Sequence, residues 1–284
     1  MIAITGATGQ LGRLVIAELL KKTAAREMVA IVRDPAKAVD LAASGVSIRQ
    51  ADYNDSGTLV TAFEGVERVL LVSSNELGSR VAQHGNVIAA AKRAGAKLLA
   101  YTSVLHADRS TLGLAKEHLE TEKVLASSGV PFAILRNGWY TENYTASIPT
   151  VLAHGVLAGS AGAGRISSAA RRDYAEAAAA VLTGPIESGK IHELAGDESF
   201  TLADLAAEIS RQSGKSVSYQ DLPEADYVAL LLKAGLPAPF AELIADSSRG
   251  AGDGDLFDSG RELSGLIGRP TTTLAESVKD SLVA

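Results

Sequence analysis

The chain of 284 residues contains no cysteine. That one absence excludes disulfides, thiolate metal sites and cysteine nucleophiles, and it accords with a reducing compartment. Aromatic residues make up only 5%, with a single tryptophan. No apolar run approaches the ~18 residues of a membrane span. No basic segment followed by an apolar run precedes Met1-Ile2-Ala3-Ile4-Thr5, so no export signal is expected. Positive charge is also in deficit: 27 Lys and Arg against 33 Asp and Glu give a net charge of −6. Such a chain lacks the basic face that a phosphate backbone requires. The expectation is a cytoplasmic protein with no nucleic-acid partner and no membrane partner.

Familiar catalytic motifs are missing as well. The tyrosines stand at 53, 101, 140, 144, 174, 219 and 227, and none has a lysine four residues on. A Tyr-x-x-x-Lys pair, in which lysine lowers the phenol pKa for proton transfer, is therefore absent. Lys116 has Leu112 four residues before it and reads as a solvated helix residue. The histidines at 84, 106, 118, 154 and 192 are scattered, there is no H-E-x-x-H, and no metal site is expected. No G-x-S-x-G nucleophile turn occurs.

What is present is an alternation of short apolar runs and helical patterns. Strands are expected at 1–5, 28–32, 46–49, 68–72, 97–101 and 132–135, with helices at 81–94 and 114–128 between them. Strands that are apolar on both faces and separated by helices indicate an α/β protein, a Rossmann-type doubly wound parallel sheet. Further on, Ala169 to Leu182 reads as an alanine-rich helix and Ile191 to Leu194 as a seventh strand. Phe200-Thr201-Leu202 opens a helix to about Ser213, Val217 to Gln220 is a short strand, and Gly250 to Gly254 reads as a flexible loop. This predicts a nucleotide-binding domain over 1–145, to which 171–196 returns. A smaller, mostly helical substrate lobe then takes 146–170 and 197–284.

The strongest motif is Thr5-Gly6-Ala7-Thr8-Gly9-Gln10-Leu11-Gly12. Gly6 allows the tight turn, Gly9 lets the backbone approach a pyrophosphate, and Gly12 lets the helix lie against the strand. The helix that opens at Gln10 and Leu11 offers N–H groups to the phosphates. At the end of the second strand stands Val32-Arg33-Asp34-Pro35. Arg33 suits a 2′-phosphate and favours NADP over NAD. Asp34 precedes proline and reads as a helix N-cap, its carboxylate turned to backbone amides.

In such a sheet the ligand lies beyond the C-terminal strand ends. Those ends carry Asp52-Tyr53 for the adenine rim, Ser73-Ser74-Asn75 for the ribose, and Thr102. The sixth is followed by Asn137-Gly138-Trp139-Tyr140-Thr141-Glu142, an unusual cluster of aromatic and polar residues. His84 and His106 lie nearest the expected mouth and, with Trp139 and Tyr140, are candidates for substrate contact.

The glycine loop, Ala30-Ile31-Val32-Arg33-Asp34-Pro35-Ala36-Lys37, Gln50-Ala51-Asp52-Tyr53 and Arg136-Asn137-Gly138-Trp139-Tyr140-Thr141-Glu142-Asn143-Tyr144 resemble the NmrA-like atypical short-chain dehydrogenases. Within them the chain resembles the bacterial NAD(P)H:quinone oxidoreductases and triphenylmethane reductases. The resemblance extends over essentially the whole chain and accounts for the missing Tyr-x-x-x-Lys pair. It implies NADP(H) as cofactor, nicotinamide contacts from 73–75 and 137–142, and a cleft between core and C-terminal lobe. The expected activity is direct hydride transfer to a quinone or a cationic triphenylmethane dye, by a monomer or homodimer, with water or Tyr140 giving any proton. Two other readings stay open: an NADP-binding redox sensor without turnover, and a carbonyl or imine reductase using Lys116 or Tyr140 as donor.

Overall fold

The computed structural model describes residues 1–283. The chain divides into two compact units. The first takes 1–107, 116–137 and 171–193, and the second takes 108–115, 138–170 and 194 onward. The segment 138–145, expected with the nucleotide-binding domain, falls in the second unit.

The described residues form strands β1 (Ile2–Ile4), β2 (Met28–Val32), β3 (Ser47–Gln50), β4 (Arg68–Leu71), β5 (Leu98–Val104), β6 (Phe132–Asn137), β7 (Val156–Gly159), β8 (Lys190–Leu194) and β9 (Ser218–Asp221). Helices α1 (Gln10–Leu20), α2 (Val39–Ala43), α3 (Ser56–Ala62), α4 (Arg80–Arg93), α5 (Ala115–Ser127), α6 (Glu142–Thr145) and α7 (Ile148–His154) fall in the first half. The rest are α8 (Arg171–Thr183), α9 (Leu202–Ser213), α10 (Glu224–Lys233), α11 (Ala238–Gly252), α12 (Glu262–Ile267) and α13 (Leu274–Val283).

In the first unit seven strands lie in the order β3-β2-β1-β4-β5-β6-β8. The pairs from β3 to β6 are parallel. Gly189 N donates to Phe132 O and Gly138 N to Leu194 O, the ascending register of a parallel β8. The expected Rossmann-type sheet is therefore present. Both β2 and β5 are buried along their whole length, as strands covered on two faces must be. Ala3, Ile31, Leu71, Tyr101 and Ile134 point to one face, where they pack with Phe63, Val87, Ile88 and Leu125 of the α3–α5 layer. Side chains alternate along a strand, so Ile4, Leu70 and Leu135 serve the other face. There α1 lies against α8. Ala175, Ala177, Ala178 and Ala179 of α8 are buried, and such small side chains permit the close approach. Arg68 Nη1 donates to Leu182 O and Gly184 O at 2.7 and 2.8 Å, satisfying carbonyls at the end of α8.

The second unit holds a two-stranded parallel sheet, β7 with β9, and helices α6, α7 and α9 to α13. Thr201 caps α9 in a reciprocal capping box with Asp204, as the Phe200-Thr201-Leu202 signal suggests. Two elements differ from expectation. Val156–Gly159 is a strand, formed because β9, far along the chain, supplies its partner. Gly250 to Gly252, read as flexible, lie inside α11. Their glycines serve close packing: a Cβ on Gly250 would come 2.3 Å from Leu112 Cδ2, and one on Gly252 would come 3.2 Å from Ala161 O. Among the described residues no helix is long and apolar enough to cross a membrane.

Candidate functional site

Thr5 closes β1 and ties three strand ends together. Its Oγ1 donates to Leu70 O at 3.0 Å and accepts from Val72 N at 3.1 Å and Tyr53 Oη at 2.5 Å. Gly6 then turns the chain with φ +57°, a conformation that favours glycine. Gly6 O accepts from Gly9 N at 2.9 Å, which folds the loop back on itself. A Cβ on Gly12 would stand 2.4 Å from Gly6 O and 2.8 Å from Ala7 Cα, so the loop and α1 interlock through bare backbone. α1 has no side-chain cap and no acidic residue in its first turn. Its leading N–H groups, at Gln10, Leu11 and Gly12, are thus available to an anion.

The loop borders a cavity of about 480 Å³. Its lining comes wholly from the first unit: Gly6, Thr8 and Gly9; Ile31 to Asp34 with Lys37; Ala51 to Tyr53; and Val72 to Glu76 with Gln83. These are the C-terminal ends of β1 to β4, where the strand order reverses between β1 and β4. A crevice at that switch point is the expected ligand position in an open α/β sheet.

The charges at one end of the cavity are sorted by hydrogen bonding. Asp34 Oδ1 accepts from Ala36 N at 3.0 Å, the capping role read from the sequence. Asp52 Oδ1 accepts from Asn54 N at 2.7 Å. Both carboxylates face backbone amides, and Arg33 and Lys37 supply positive charge to the same lining. Gln50 Nε2 fixes the Arg33 carbonyl at 2.9 Å. Arg13 braces the glycine loop to this end: Nε donates to Thr8 O, Nη2 donates to Lys37 O, and Nη1 pairs with Asp40.

Residues 73–76 form a held strap. Ser73 N donates to Thr102 Oγ1 at 2.9 Å, and Ser74 N donates to His84 Nε2 at 2.9 Å. Arg80 Nε donates to Ser74 O at 2.8 Å. Thr102 and His84 thus act on this end of the cavity through the strap, and His84 is fully buried. Burial, and then the Arg80 charge, push the His84 pKa from 6.5 down to about 3. A ring held neutral in the folded state binds fewer protons there than in the unfolded chain once pH falls below about 6.5. Stability contributed by His84 is therefore lost as pH falls from that point toward 3, by about 1.4 kcal/mol per unit. Urea titrations at pH 7 and pH 5 should show His84→Gln losing about 2 kcal/mol less between the two than the parent chain. Equal losses would refute it.

The other strand ends of this unit are tied by charge. Arg136 is buried and pairs through Nη2 with Glu122 Oε2 and through Nη1 with Glu193 Oε1, each at 2.7 Å. Burial alone would lower the Arg136 pKa, but the two carboxylates outweigh it and raise the pKa. Ser103 Oγ donates to Glu122 Oε1 at 2.5 Å. Glu193 Oε2 accepts from His106 N at 3.0 Å. His106, with φ +53°, is the one non-glycine residue of positive φ among the described residues. Asn137 ends β6 with its Oδ1 buried and unpartnered.

Of the residues singled out from sequence, Gly6, Thr8, Gly9, Arg33, Asp52, Tyr53, Ser73, Ser74 and Asn75 meet at the cavity. Gly138, Trp139, Tyr140, Thr141 and Glu142 lie in the second unit. There Thr141 N donates to Ala169 O at 3.0 Å, Thr141 Oγ1 contacts Ser168 Oγ at 2.8 Å, and Tyr140 bridges to Ala169. Lys116 is exposed, as read. Besides the capping Asp34, three polar residues of the cavity were not among the candidates: Lys37, Glu76 and Gln83. Lys37 had a signal, a second cation four residues after Arg33, on the short helical turn that Asp34 caps. Glu76 directly follows the Ser-Ser-Asn run, and Gln83 carried no local signal.

A sequence profile of the NmrA-like family matches residues 1–278. The chain belongs to the NmrA-like family. This NmrA-like chain is 60% identical over 278 residues to quinone oxidoreductase 2 of Escherichia coli, covering 98% of the chain and 97% of the relative. Among solved structures it matches an NADPH-dependent quinone oxidoreductase from E. coli in complex with NADPH. The TM-score is 0.97 at 59% identity, with 99% of the chain and 100% of the neighbour covered. It also matches Citrobacter sp. triphenylmethane reductase complexed with NADP(H), at TM-score 0.95 and 38% identity, covering 99% and 100%. Within this NmrA-like chain, the cavity's bare-backbone loop and paired cations fit a phosphorylated dinucleotide.

Proposed function

We infer that this chain is an NADPH-dependent oxidoreductase of the quinone-reductase type. The observation that carries the reading is end-to-end similarity to E. coli quinone oxidoreductase 2, with no large gap in either chain. NADPH, when bound, supplies the hydride. The glycine loop and the N–H groups of Gln10, Leu11 and Gly12 hold the pyrophosphate. Arg33 and Lys37 hold the 2′-phosphate, and Asp52 and Tyr53 form the adenine rim. Ser73, Ser74 and Asn75 face the ribose on a strap that Thr102 and His84 keep still. The buried amide oxygen of Asn137 is available to accept from a carboxamide.

A quinone needs little acid help, because its empty orbital is low. The protein's share is then proximity and orientation, which can supply ~7–11 kcal/mol of barrier lowering. Water or Tyr140 gives the proton to the quinone oxygen. A cationic dye is a second acceptor class, on the resemblance to triphenylmethane reductase.

The test follows nicotinamide absorbance with a small quinone, a triphenylmethane dye and a ketone in parallel, using NADPH and then NADH. Turnover of the quinone, faster with NADPH, is expected. Tight NADPH binding without turnover on any acceptor would replace this reading with a redox sensor. A ketone rate above the quinone rate would replace it with a carbonyl reductase. In the same assay Tyr140→Phe should lose at least about tenfold in kcat if the phenol delivers the proton. An unchanged rate assigns that step to water.

A further inference from the structure

The Arg33 guanidinium is already engaged in this cavity. Its Nη1 donates to Glu76 Oε1 at 3.0 Å, although the two residues are 43 positions apart. Both line the cavity, Arg33 from the end of β2 and Glu76 from the strap after β4. An exposed ion pair between two free side chains would mean little. Here one partner is anchored. Glu76 Oε2 accepts from Gln83 Nε2 at 2.5 Å, Gln83 is 2% exposed, and Gln83 Nε2 also reaches Asn54 Oδ1 at 3.2 Å. Glu76 N donates to Ser74 Oγ at 3.1 Å. Gln83 thus holds the carboxylate and Ser74 holds the main chain behind it, and the 64%-exposed Arg33 side chain meets the second carboxylate oxygen.

We propose that Glu76 is a specificity-determining residue that competes with the 2′-phosphate for Arg33 and so narrows the preference for NADPH over NADH. The proposal rests on the cofactor reading given above. A 2′-phosphate gripped by Arg33 has to share the guanidinium with Glu76. Glu76 is then a like charge beside the phosphate, held there by Gln83. With a cofactor that has a free 2′-hydroxyl there is no repulsion. A carboxylate at this end of a dinucleotide site is then the natural acceptor for the ribose hydroxyl. The same side chain weakens one cofactor and suits the other. This carboxylate comes from the strap after β4, so the end of β2 alone gives no sign of it.

The experiment is calorimetric titration of the full chain with adenosine 2′,5′-bisphosphate and with adenosine 5′-monophosphate. It uses the parent, Glu76→Gln, Arg33→Ala and the double variant. Glutamine keeps an oxygen for Gln83 and removes the charge, and the site is exposed enough for folding to survive. Glu76→Gln should tighten the bisphosphate about three- to tenfold. The monophosphate should stay within about twofold, and the gain should shrink when Arg33 is alanine, because only the like-charge part of it then remains. A bisphosphate-to-monophosphate ratio unchanged or lowered by Glu76→Gln, with Arg33→Ala still weakening the bisphosphate, overturns the role of Glu76 and leaves the cofactor site standing. If neither nucleotide binds the parent chain, the cofactor reading falls and this inference falls with it.

Discussion

Arg136→Met is expected to cost about 3–5 kcal/mol of unfolding free energy near neutral pH. The replacement has similar length and packs well, so the loss comes from charge. Arg136 is the shared partner of Glu122, buried, and Glu193, less so. Removing it leaves a carboxylate at Glu122 with Ser103 as donor but no cation. A buried unpaired carboxyl prefers its proton, so its pKa in the folded variant rises above the ordinary value of about 4.3. The variant's folded state then holds a proton that its unfolded state has lost, and its stability falls as pH rises through that window. The deficit should therefore shrink toward pH 4 and widen toward pH 7, as read by urea unfolding. Adding Glu122→Gln to Arg136→Met should restore part of the loss at pH 7. A pH-independent deficit with no restoration would show that the guanidinium contributes by packing alone.

Gly12→Ala should damage both folding and cofactor binding. The added Cβ meets Gly6 O at 2.4 Å and Ala7 Cα at 2.8 Å, and neither is the end of a flexible side chain. Relief requires the glycine loop to move away from α1, or α1 from the sheet. Overpacking of this kind costs about 1–3 kcal/mol. A loop displaced by several tenths of an ångström also misdirects the N–H groups at the start of α1. A loss of about a hundredfold or more in NADPH affinity is expected by calorimetry. Gly85→Ala is the control. Gly85 lies within α4 with nothing within 4 Å of its would-be Cβ, so alanine there should add about 0.5–1 kcal/mol. If Gly12→Ala behaves like Gly85→Ala, the interlocked loop is not what shapes the site.

The contrast between these two glycines shows where the sequence was informative. Gly6, Gly9 and Gly12 sit at a spacing that has one physical use, between a strand and a helix, and were legible at once. Asp34 before Pro35 was legible for the same reason, since capping is settled within three residues. Gly250 and Gly252 were misread because a glycine needed for close packing looks locally like one needed for flexibility; Leu112 and Ala161, both far away in the chain, decide the matter. β7 was missed because its pairing with β9 spans some sixty residues. The same distance hid the partners of Arg33 and Arg136. An arginine at a strand end announces that it will meet an anion. Which anion depends on the topology, and Glu76, Glu122 and Glu193 come together with their arginines only in the folded sheet.

The strand order also sets a timetable. β8 lies beside β6 in the sheet, yet the chain leaves the first unit at residue 137 and returns only at 171. On the ribosome, β6 is made long before the strand that covers its outer edge. Until residue 194 has emerged, the nascent sheet ends in an open row of N–H and C=O groups, a template for pairing with any other extended chain. The α8 helix arrives in the same late stretch, so the face that α1 shares with it is bare over the same interval. Between the synthesis of Asn137 and that of Leu194, the edge of β6 has to wait for its partner strand.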